Sequence, residues 1–287
     1  MSDEMSQKLT AEHAQEVASG ERFEFGRNWN RFLQTLNDQR IALAEQSLRD
    51  SLGVRDLKGL SFLDVGSGSG LFSLAARRLG AHVHSLDYDP HSVACTAELR
   101  RRYFPDDPNW TVEHGSALDQ DYLRSLGTFA VVYSWGVLHH TGSMWQALGN
   151  IAPLVQPGGQ LQIAIYNDQG KTSRRWLWVK KTYNRLPPSL RFVVLGPAFL
   201  HLWWRRLLKD LLRGRPLHAF RTYQALRGMS LWWDVVDWVG GYPFEVARPE
   251  EIFDFYRARG YTLEHLKTEA GSLGCNDFVF RRTGPVS

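Results

Sequence analysis

The sequence predicts an α/β protein built on a doubly wound, mostly parallel sheet, and three observations carry that expectation. Short apolar runs of strand length alternate with amphipathic stretches of helix length. A glycine-rich turn, Asp64-Val65-Gly66-Ser67-Gly68-Ser69-Gly70, leaves the first strand run and opens a helix. The run Phe129–Ser134 is apolar on both faces, as befits a central parallel strand covered by helices on either side.

Taken in order, Ser61–Val65 reads as the first strand and Leu71–Leu79 as the helix after the glycines. Ala81–Asp87 is a second strand, Pro90–Tyr103 a second helix and Thr111–His114 a third strand. Phe129–Ser134 follows as the fourth, Met144–Val155 as a helix, Pro157-Gly158-Gly159 as a turn and Leu161–Tyr166 as the fifth strand. Near the end, Pro249–Arg259 reads as a helix, with Pro249 suited to its first turn and Gly260 to its close. Two strands, Tyr261–Thr268 and Asp277–Arg282, complete the pattern. Residues 22–59 read as helical, with Phe32, Leu36, Ile41, Leu43 and Leu48 on apolar faces. Four segments result: an N-terminal helical cap (1–59), a core (60–168), a helical insertion after strand five (169–248) and the closing part of the core (249–287).

Composition narrows the class. The chain has 287 residues, 43% hydrophobic and 22% charged, which suits a globular enzyme with a sizeable core. Cys95 and Cys275 stand far apart with no CxxC pair, so neither a disulfide framework nor a metal site is expected. The opening residues MSDEMSQKLTAEHAQE are polar, so no secretory leader is expected, and the longest apolar run, Phe192–Trp204, is broken by Pro197 and His201. A cytoplasmic protein is the expectation, with peripheral membrane contact left open. The net charge of +4 hides an uneven distribution. Residues 169–231 hold fourteen Lys or Arg and one acid, Asp210, and include Trp176, Trp178, Trp203 and Trp204. Pro187-Pro188, Gly196-Pro197 and Gly214 are expected to divide this stretch into short helices.

The glycine turn and the acids around it carry the chemistry. A dinucleotide fingerprint is GxGxxG, but here the glycines fall at 66, 68 and 70, with Leu71 next. Asp64, two residues before the first glycine, would repel a pyrophosphate and attract an ammonium group. Asp87 ends the second strand, where a carboxylate can accept both hydroxyls of an unphosphorylated ribose. An amino-acid ammonium at one end and a ribose at the other describe S-adenosylmethionine.

These motifs resemble class I S-adenosylmethionine-dependent methyltransferases. FLDVGSGSG is similar to the family's first motif, SLDYD to its ribose-binding strand, HGSALD to its adenine-side loop, VVYSWGVLHH to its fourth strand and PGG to the turn before strand five. The last stretch of strand four looks most like the branch that methylates small molecules, including the quinone-biosynthesis O-methyltransferases. The resemblance implies a seven-stranded sheet with an antiparallel last strand. It also implies roles. Asp64 and the turn residues Gly66, Ser67, Gly68 and Gly70 would hold the methionine end, and Asp87 the ribose with Tyr88 beside it. Ser116 and Ala117 would flank the adenine, and Trp135 would line the site. Ser116 stands where the family often has Asp.

Methyl transfer needs an aligned acceptor and, for a hydroxyl, removal of a proton. His139 and His140 follow the fourth strand at the carboxyl end of the sheet, where such folds bind ligands. Asp237, among Trp233, Trp238 and Tyr242, is a further candidate base; Asp234 and Glu245 lie in the same run. Tyr166-Asn167 and Asn276 are placed to reach the site. In the cluster Phe25-Gly26-Arg27-Asn28-Trp29, Trp29 and Arg27 are expected to close over the cofactor.

The insertion admits three readings. Residues 198–213 form an amphipathic stretch, with Leu200, Trp203/Trp204, Leu207/Leu208 and Leu211 at helical spacing and Arg205, Arg206, Lys209 and Arg213 opposite. It is read first as a lid whose apolar face covers the pocket, then as a helix lying on an anionic membrane, then as a grip on an anionic substrate. Nucleic acid is not expected as a partner, because no recognition motif is present. An enzyme methylating an oxygen of a small acceptor is the leading expectation. A catalytically silent docking module and an NAD(P)-dependent oxidoreductase are the alternatives. Oligomeric state is not readable.

Overall fold

The computed structural model describes residues 3–26, 29, 33–215, 231–269 and 273–284. Its centre is a seven-stranded sheet in the order β3-β2-β1-β4-β5-β7-β6. The strands are β1 (Ser61–Val65), β2 (His82–Asp87), β3 (Trp110–His114), β4 (Phe129–Trp135), β5 (Val155–Tyr166), β6 (Tyr261–Lys267) and β7 (Cys275–Arg282). All pair in parallel except β7, which runs antiparallel to both β5 and β6. The reversal at β1, between β2 and β4, opens a crevice at the carboxyl ends of these strands.

Helices cover both faces because each brings one apolar side. In chain order they are α1 (Asp3–Ala18), α2 (Asp38–Leu52), α3 (Leu71–Arg78), α4 (Pro90–Tyr103), α5 (Gln120–Ser125), α6 (Met144–Ile151), α7 (Lys171–Arg185), α8 (Phe192–Leu212), α9 (Leu231–Gly240) and α10 (Pro249–Arg257). On one face Ile41, Ala44, Leu48 and Leu52 of α2 pack with Leu74 to Ala76 of α3 and Leu99 of α4 against Phe62, Val83, Val131 and Tyr133. On the other, Ala147, Leu148 and Ile151 of α6 and Ile252 and Tyr256 of α10 cover Leu63, Val132, Ile163 and Phe278. A third, smaller core joins α7, α8 and α9 through Trp176, Tyr183, Leu195, Ala198, Trp203, Val235, Val236 and Val239, and Phe23 of the N-terminal segment packs into it.

The opening residues fold as α1, a helix of mostly exposed polar positions with Leu9 and His13 buried. Several expectations are corrected. Leu43 faces solvent, because the buried side of α2 follows 41, 44, 48 and 52. β5 begins at Val155 and runs through Pro157-Gly158-Gly159; the register shift against Phe129/Val131 absorbs the irregularity. Pro197 lies inside α8 rather than ending a helix. The carbonyl it leaves without an amide partner belongs to Val193, on the exposed side, where solvent is available. Phe32 and residues 216–230 lie outside the described residues, as does the side chain of Trp233.

The apolar stripe of α8 also departs from expectation. Leu195, Ala198 and Trp203 turn inward, while Leu200 (61% exposed), Trp204, Leu208 and Leu211 (65%) face solvent and cover nothing.

Candidate active site

The glycine turn between β1 and α3 folds back on the end of β2. The amides of Gly66 and Ser67 donate to the Leu86 carbonyl at 2.8 and 3.0 Å. The amide of Gly68 donates to Asp87 Oδ2 at 2.8 Å. A pyrophosphate at this turn requires outward-facing donors. Here three are engaged internally, and carboxyl groups stand on both sides. At Gly66 φ is +84°, and an added Cβ would come within 2.2 Å of Val137, so only glycine fits. Gly70 begins α3 as its N-cap, and the Ser67 hydroxyl shares a hydrogen bond with Thr96 at 2.9 Å.

Asp64 is more enclosed than its place before the turn suggests. Its Oδ2 accepts from the Ser73 hydroxyl at 2.5 Å, Ser85 donates to Ser73, and the Trp110 indole donates to Ser85. Burial raises the Asp64 carboxyl to about 7, against the opposing effect of the Ser73 bond. Asp87 is half-buried, with Oδ1 accepting the Asp89 amide and Oδ2 that of Gly68. Burial raises it also to about 7, although both amide bonds favour the carboxylate. Two carboxyl groups poised near neutrality gain their charge when a cation arrives between them. That chemistry fits a ligand bearing an ammonium and a sulfonium, with a diol for Asp87.

The N-terminal segment closes over this end. Asp89 accepts from the Gly26 amide at 2.7 Å and the His91 amide at 2.8 Å, and His13 Nε2 lies 3.7 Å from it. Tyr88 packs beneath α1, edge-on to the His13 ring and under the Arg22 guanidinium at 4.8 Å. Burial, followed by the nearby Glu16 charge, pushes its phenol up to about 12. The Trp29 indole lies over Gly68, its Nε1 3.2 Å from where a Cβ would project. Arg27 and Asn28 lie outside the described residues. In the adenine-side loop, the Ser116 hydroxyl accepts the Leu118 amide, and the carbonyl of buried Ala117 accepts from Asn150. Trp135 is 48% exposed at the end of β4, and its indole N–H donates to Asp277 on β7.

The candidate bases meet around Tyr166, at the end of β5. The His139 ring is 3.9 Å from Tyr166 and 4.4 Å from His140 between centroids. His139 is fully buried; its Nδ1 receives the Tyr166 amide at 3.4 Å, which leaves Nε2 as a buried N–H without a hydrogen-bond partner. His140 is the opposite tautomer, because its Nδ1 lies 2.6 Å from the Pro243 carbonyl and must donate. Its Nε2 therefore carries the lone pair. Burial holds both rings neutral: His139 falls well below the usual range, helped by His140 and Lys180, and His140 falls to about 3. Asp237 is half-buried on α9; its carbonyl accepts the Gly241 amide, and a Cβ at Gly241 would lie 3.1 Å from His140 Cε1. Asn276 bonds Asn167 at 3.2 Å and so ties β7 to the end of β5.

Sequence reasoning missed Lys180. It is fully buried on α7 and donates to the Trp238 carbonyl, while Asn184, one turn on, donates to the Gly240 carbonyl at 2.6 Å. Together they satisfy orphan carbonyls at the end of α9. The rings of Trp238 and Phe244 lie 4.3 and 4.8 Å from its Nζ. Burial lowers the amine to about 7. Only the 176/180/183/184 spacing, which sets these positions on one face of α7, hinted at an inward lysine.

This strand order, the single reversed strand and a glycine turn between two carboxyl groups are the arrangement shared by class I, Rossmann-like S-adenosylmethionine-dependent methyltransferases. Residues 63–161 match the methyltransferase domain family, and the chain carries such a domain. Among curated relatives, a ubiquinone biosynthesis O-methyltransferase of Parvibaculum lavamentivorans is 31% identical over 188 residues, 63% of each chain. One of the same description from Methylocella silvestris is 26% identical over 56% of this chain and 57% of its own length. A tRNA U34 carboxymethyltransferase of Pseudomonas syringae pv. tomato is 36% identical over 53% of this chain and 46% of its own. The chain thus spans about half the length of the curated relatives it matches. The solved magnesium protoporphyrin IX methyltransferase of Synechocystis with bound SAH is 14% identical, covering 86% of this chain and 88% of that one, with a TM-score of 0.48. At that likeness no functional argument follows from it.

Proposed function

We propose that this protein transfers a methyl group from S-adenosylmethionine to an oxygen of a small organic acceptor. The observation that carries the reading is His140. Its Nδ1–H is fixed on Pro243, which leaves the lone pair on Nε2, and the residue follows β4 at the same end of the sheet as the turn held by Asp87. The bound sulfonium supplies a methyl already activated for displacement. Asp64 and the Gly66–Gly70 turn would hold the methionine end, Asp87 the ribose diol, and Ser116 and Ala117 the adenine, with Trp29 and Trp135 as walls. His140 would take the acceptor's hydroxyl proton as its oxygen forms the new bond to carbon. A developing oxyanion beside the ring raises its low proton affinity during that step. His139, locked by the Tyr166 amide, positions His140, and Asp237 shapes the Gly241 turn against it. The relatives named as O-methyltransferases support oxygen as the target.

The test is S-adenosylhomocysteine formation with a panel of small hydroxylated acceptors. His140→Gln should lower kcat at least a hundredfold with product affinity unchanged. Unchanged turnover would refute the assignment, and absence of S-adenosylmethionine binding would refute the whole reading.

The exposed stripe of α8 favours a second property of the same enzyme: peripheral contact with an anionic membrane through residues 198–213. Leu200, Trp204, Leu208 and Leu211 form one apolar line flanked by Arg205, Lys209 and Arg213. No described helix is long and apolar enough to cross a membrane. Salt-sensitive binding to phosphatidylglycerol vesicles, lost in a Leu200→Glu/Trp204→Glu double variant, is the expected result. Binding that persists in the variant would assign the contact elsewhere.

A further inference from the structure

A polar concavity of about 360 Å³ lies between the N-terminal cap and α7, lined by Glu16, Gly20, Glu21, Arg22, Thr141, Lys181, Arg185, Tyr242 and Pro243. We propose that it is a binding subsite for a carboxylate or phosphate group on the methyl acceptor. This rests on the reading of the protein as a small-molecule methyltransferase and adds the acceptor's charge to it.

Four separate segments build the concavity: the turn after α1, Thr141 beyond β4, α7, and Tyr242-Pro243 beyond α9. The turn after α1 can press against α7 only because residue 20 is glycine: φ is +73°, and a Cβ there would lie 2.6 Å from the Asn184 carbonyl oxygen. Arg22 is pre-oriented, its Nε on Glu16 at 2.5 Å, its Nη1 on the His140 carbonyl at 3.0 Å and its guanidinium over Tyr88. Its other N–H groups are the donors it can offer a ligand, and a guanidinium held flat is suited to a planar or tetrahedral oxyanion. Lys181 and Arg185 stand one turn apart on α7, where charges four residues apart share a face. Neither forms an ion pair with a described residue, whereas Arg49, Arg77, Arg101 and Arg257, on other helices, each do. Two like charges side by side without a carboxylate repel, and an anion between them relieves that repulsion. Of the two acids in the lining, Glu16 is already tied to Arg22.

The place of the concavity connects it to the chemistry. Thr141 directly follows His140, and Pro243 supplies the carbonyl that fixes the His140 tautomer. An anionic tail seated on Arg22, Lys181 and Arg185 would therefore lie behind the proposed base, with the acceptor's hydroxyl reaching forward. Uncharged analogues would lose that anchor.

The experiment uses the full chain saturated with S-adenosylhomocysteine, at constant ionic strength. Sodium phosphate and sodium acetate are titrated separately while backbone amide resonances are followed by NMR. The expected result is saturable millimolar shifts of the Gly20, Thr141 and Lys181 amides. A Lys181→Glu/Arg185→Glu variant should bind phosphate at least tenfold more weakly, with melting temperature and S-adenosylhomocysteine affinity unchanged. Non-saturating shifts spread over the surface, or saturable binding indifferent to the charge reversal, would overturn the proposal. Phosphatidylglycerol vesicles form a third arm. A response of these amides to vesicles and not to the free anions would assign the site to a lipid headgroup and overturn the acceptor assignment. Failure of S-adenosylhomocysteine to bind at all would instead sink the methyltransferase reading, whatever phosphate does.

Discussion

Replacing Lys180 by methionine should change how stability depends on pH, and the structure gives the sign and size. The amine lies in a dry setting between Trp238 and Phe244, and burial lowers it from its ordinary 10.5 to about 7. Between those values the unfolded chain binds a proton that the folded chain does not. Folding therefore becomes more favourable as pH rises through that window, by about 1.4 kcal/mol per unit for one proton. From pH 7.5 to 9 the contribution is about 2 kcal/mol. Below pH 7 both states are protonated and the dependence vanishes. Cys275, pushed up to about 12 by burial, acts in the opposite direction above its ordinary range, so the comparison is best made below pH 9. Methionine fills a similar volume and removes the titration, but leaves the Trp238 carbonyl unpaired at a cost of roughly 1–3 kcal/mol. Urea unfolding of both proteins at half-unit steps from pH 6 to 9 reads the difference directly. The stability of the variant relative to the unsubstituted protein should fall steadily above pH 7. Parallel curves for the two proteins would refute the claim that Lys180 sits uncharged in the folded state at alkaline pH.

Further outcomes follow from other contacts. Asp87→Asn should weaken S-adenosylhomocysteine binding at least tenfold by calorimetry while leaving the far-UV spectrum intact, because the amide cannot accept two hydroxyls and the Gly68 N–H equally well. Gly66→Ala should lower stability by more than about 2 kcal/mol in thermal unfolding, since the added methyl meets Val137 at a positive φ. Asp89→Ala should release the N-terminal segment, seen as faster hydrogen exchange across residues 3–26 with the sheet unchanged; the lost charge-assisted bonds correspond to about 1.5–3 kcal/mol each.

The sheet was legible in the sequence because buried strands must be apolar on one or both faces, and the glycine turn because only glycines permit its close approach. Phe129–Trp135 shows the first rule and Gly66, packed against Val137, the second. A helical cap was legible, but its attachment was not. α1 buries only Leu9 and His13 firmly, too few positions to impose a helical period, and its attachment through Asp89 and Tyr88 depends on contacts distant in sequence. The start of β5 is hidden because Pro157-Gly158-Gly159 has the composition of a turn, although the register shift against Phe129/Val131 keeps it within the strand. Lys180 was counted among the surface charges of a basic insertion. Its identity gives no sign of burial; only the packing of α7 on α9 does. The two histidines were placed correctly at the end of β4, but which nitrogen carries each proton is set by Tyr166 and Pro243, and no local pattern encodes that.

The reversed strand β7 has a consequence for how the enzyme can diversify. Running against its neighbours, it begins beside the end of β5, where Cys275 pairs with Tyr166. β6 ends and β7 begins at this same rim of the sheet. Residues can be added to or removed from that hairpin without disturbing the pairing order of the sheet. Under the proposed function, acceptor preference would be free to drift at this corner while the glycine turn between β1 and α3 stays fixed.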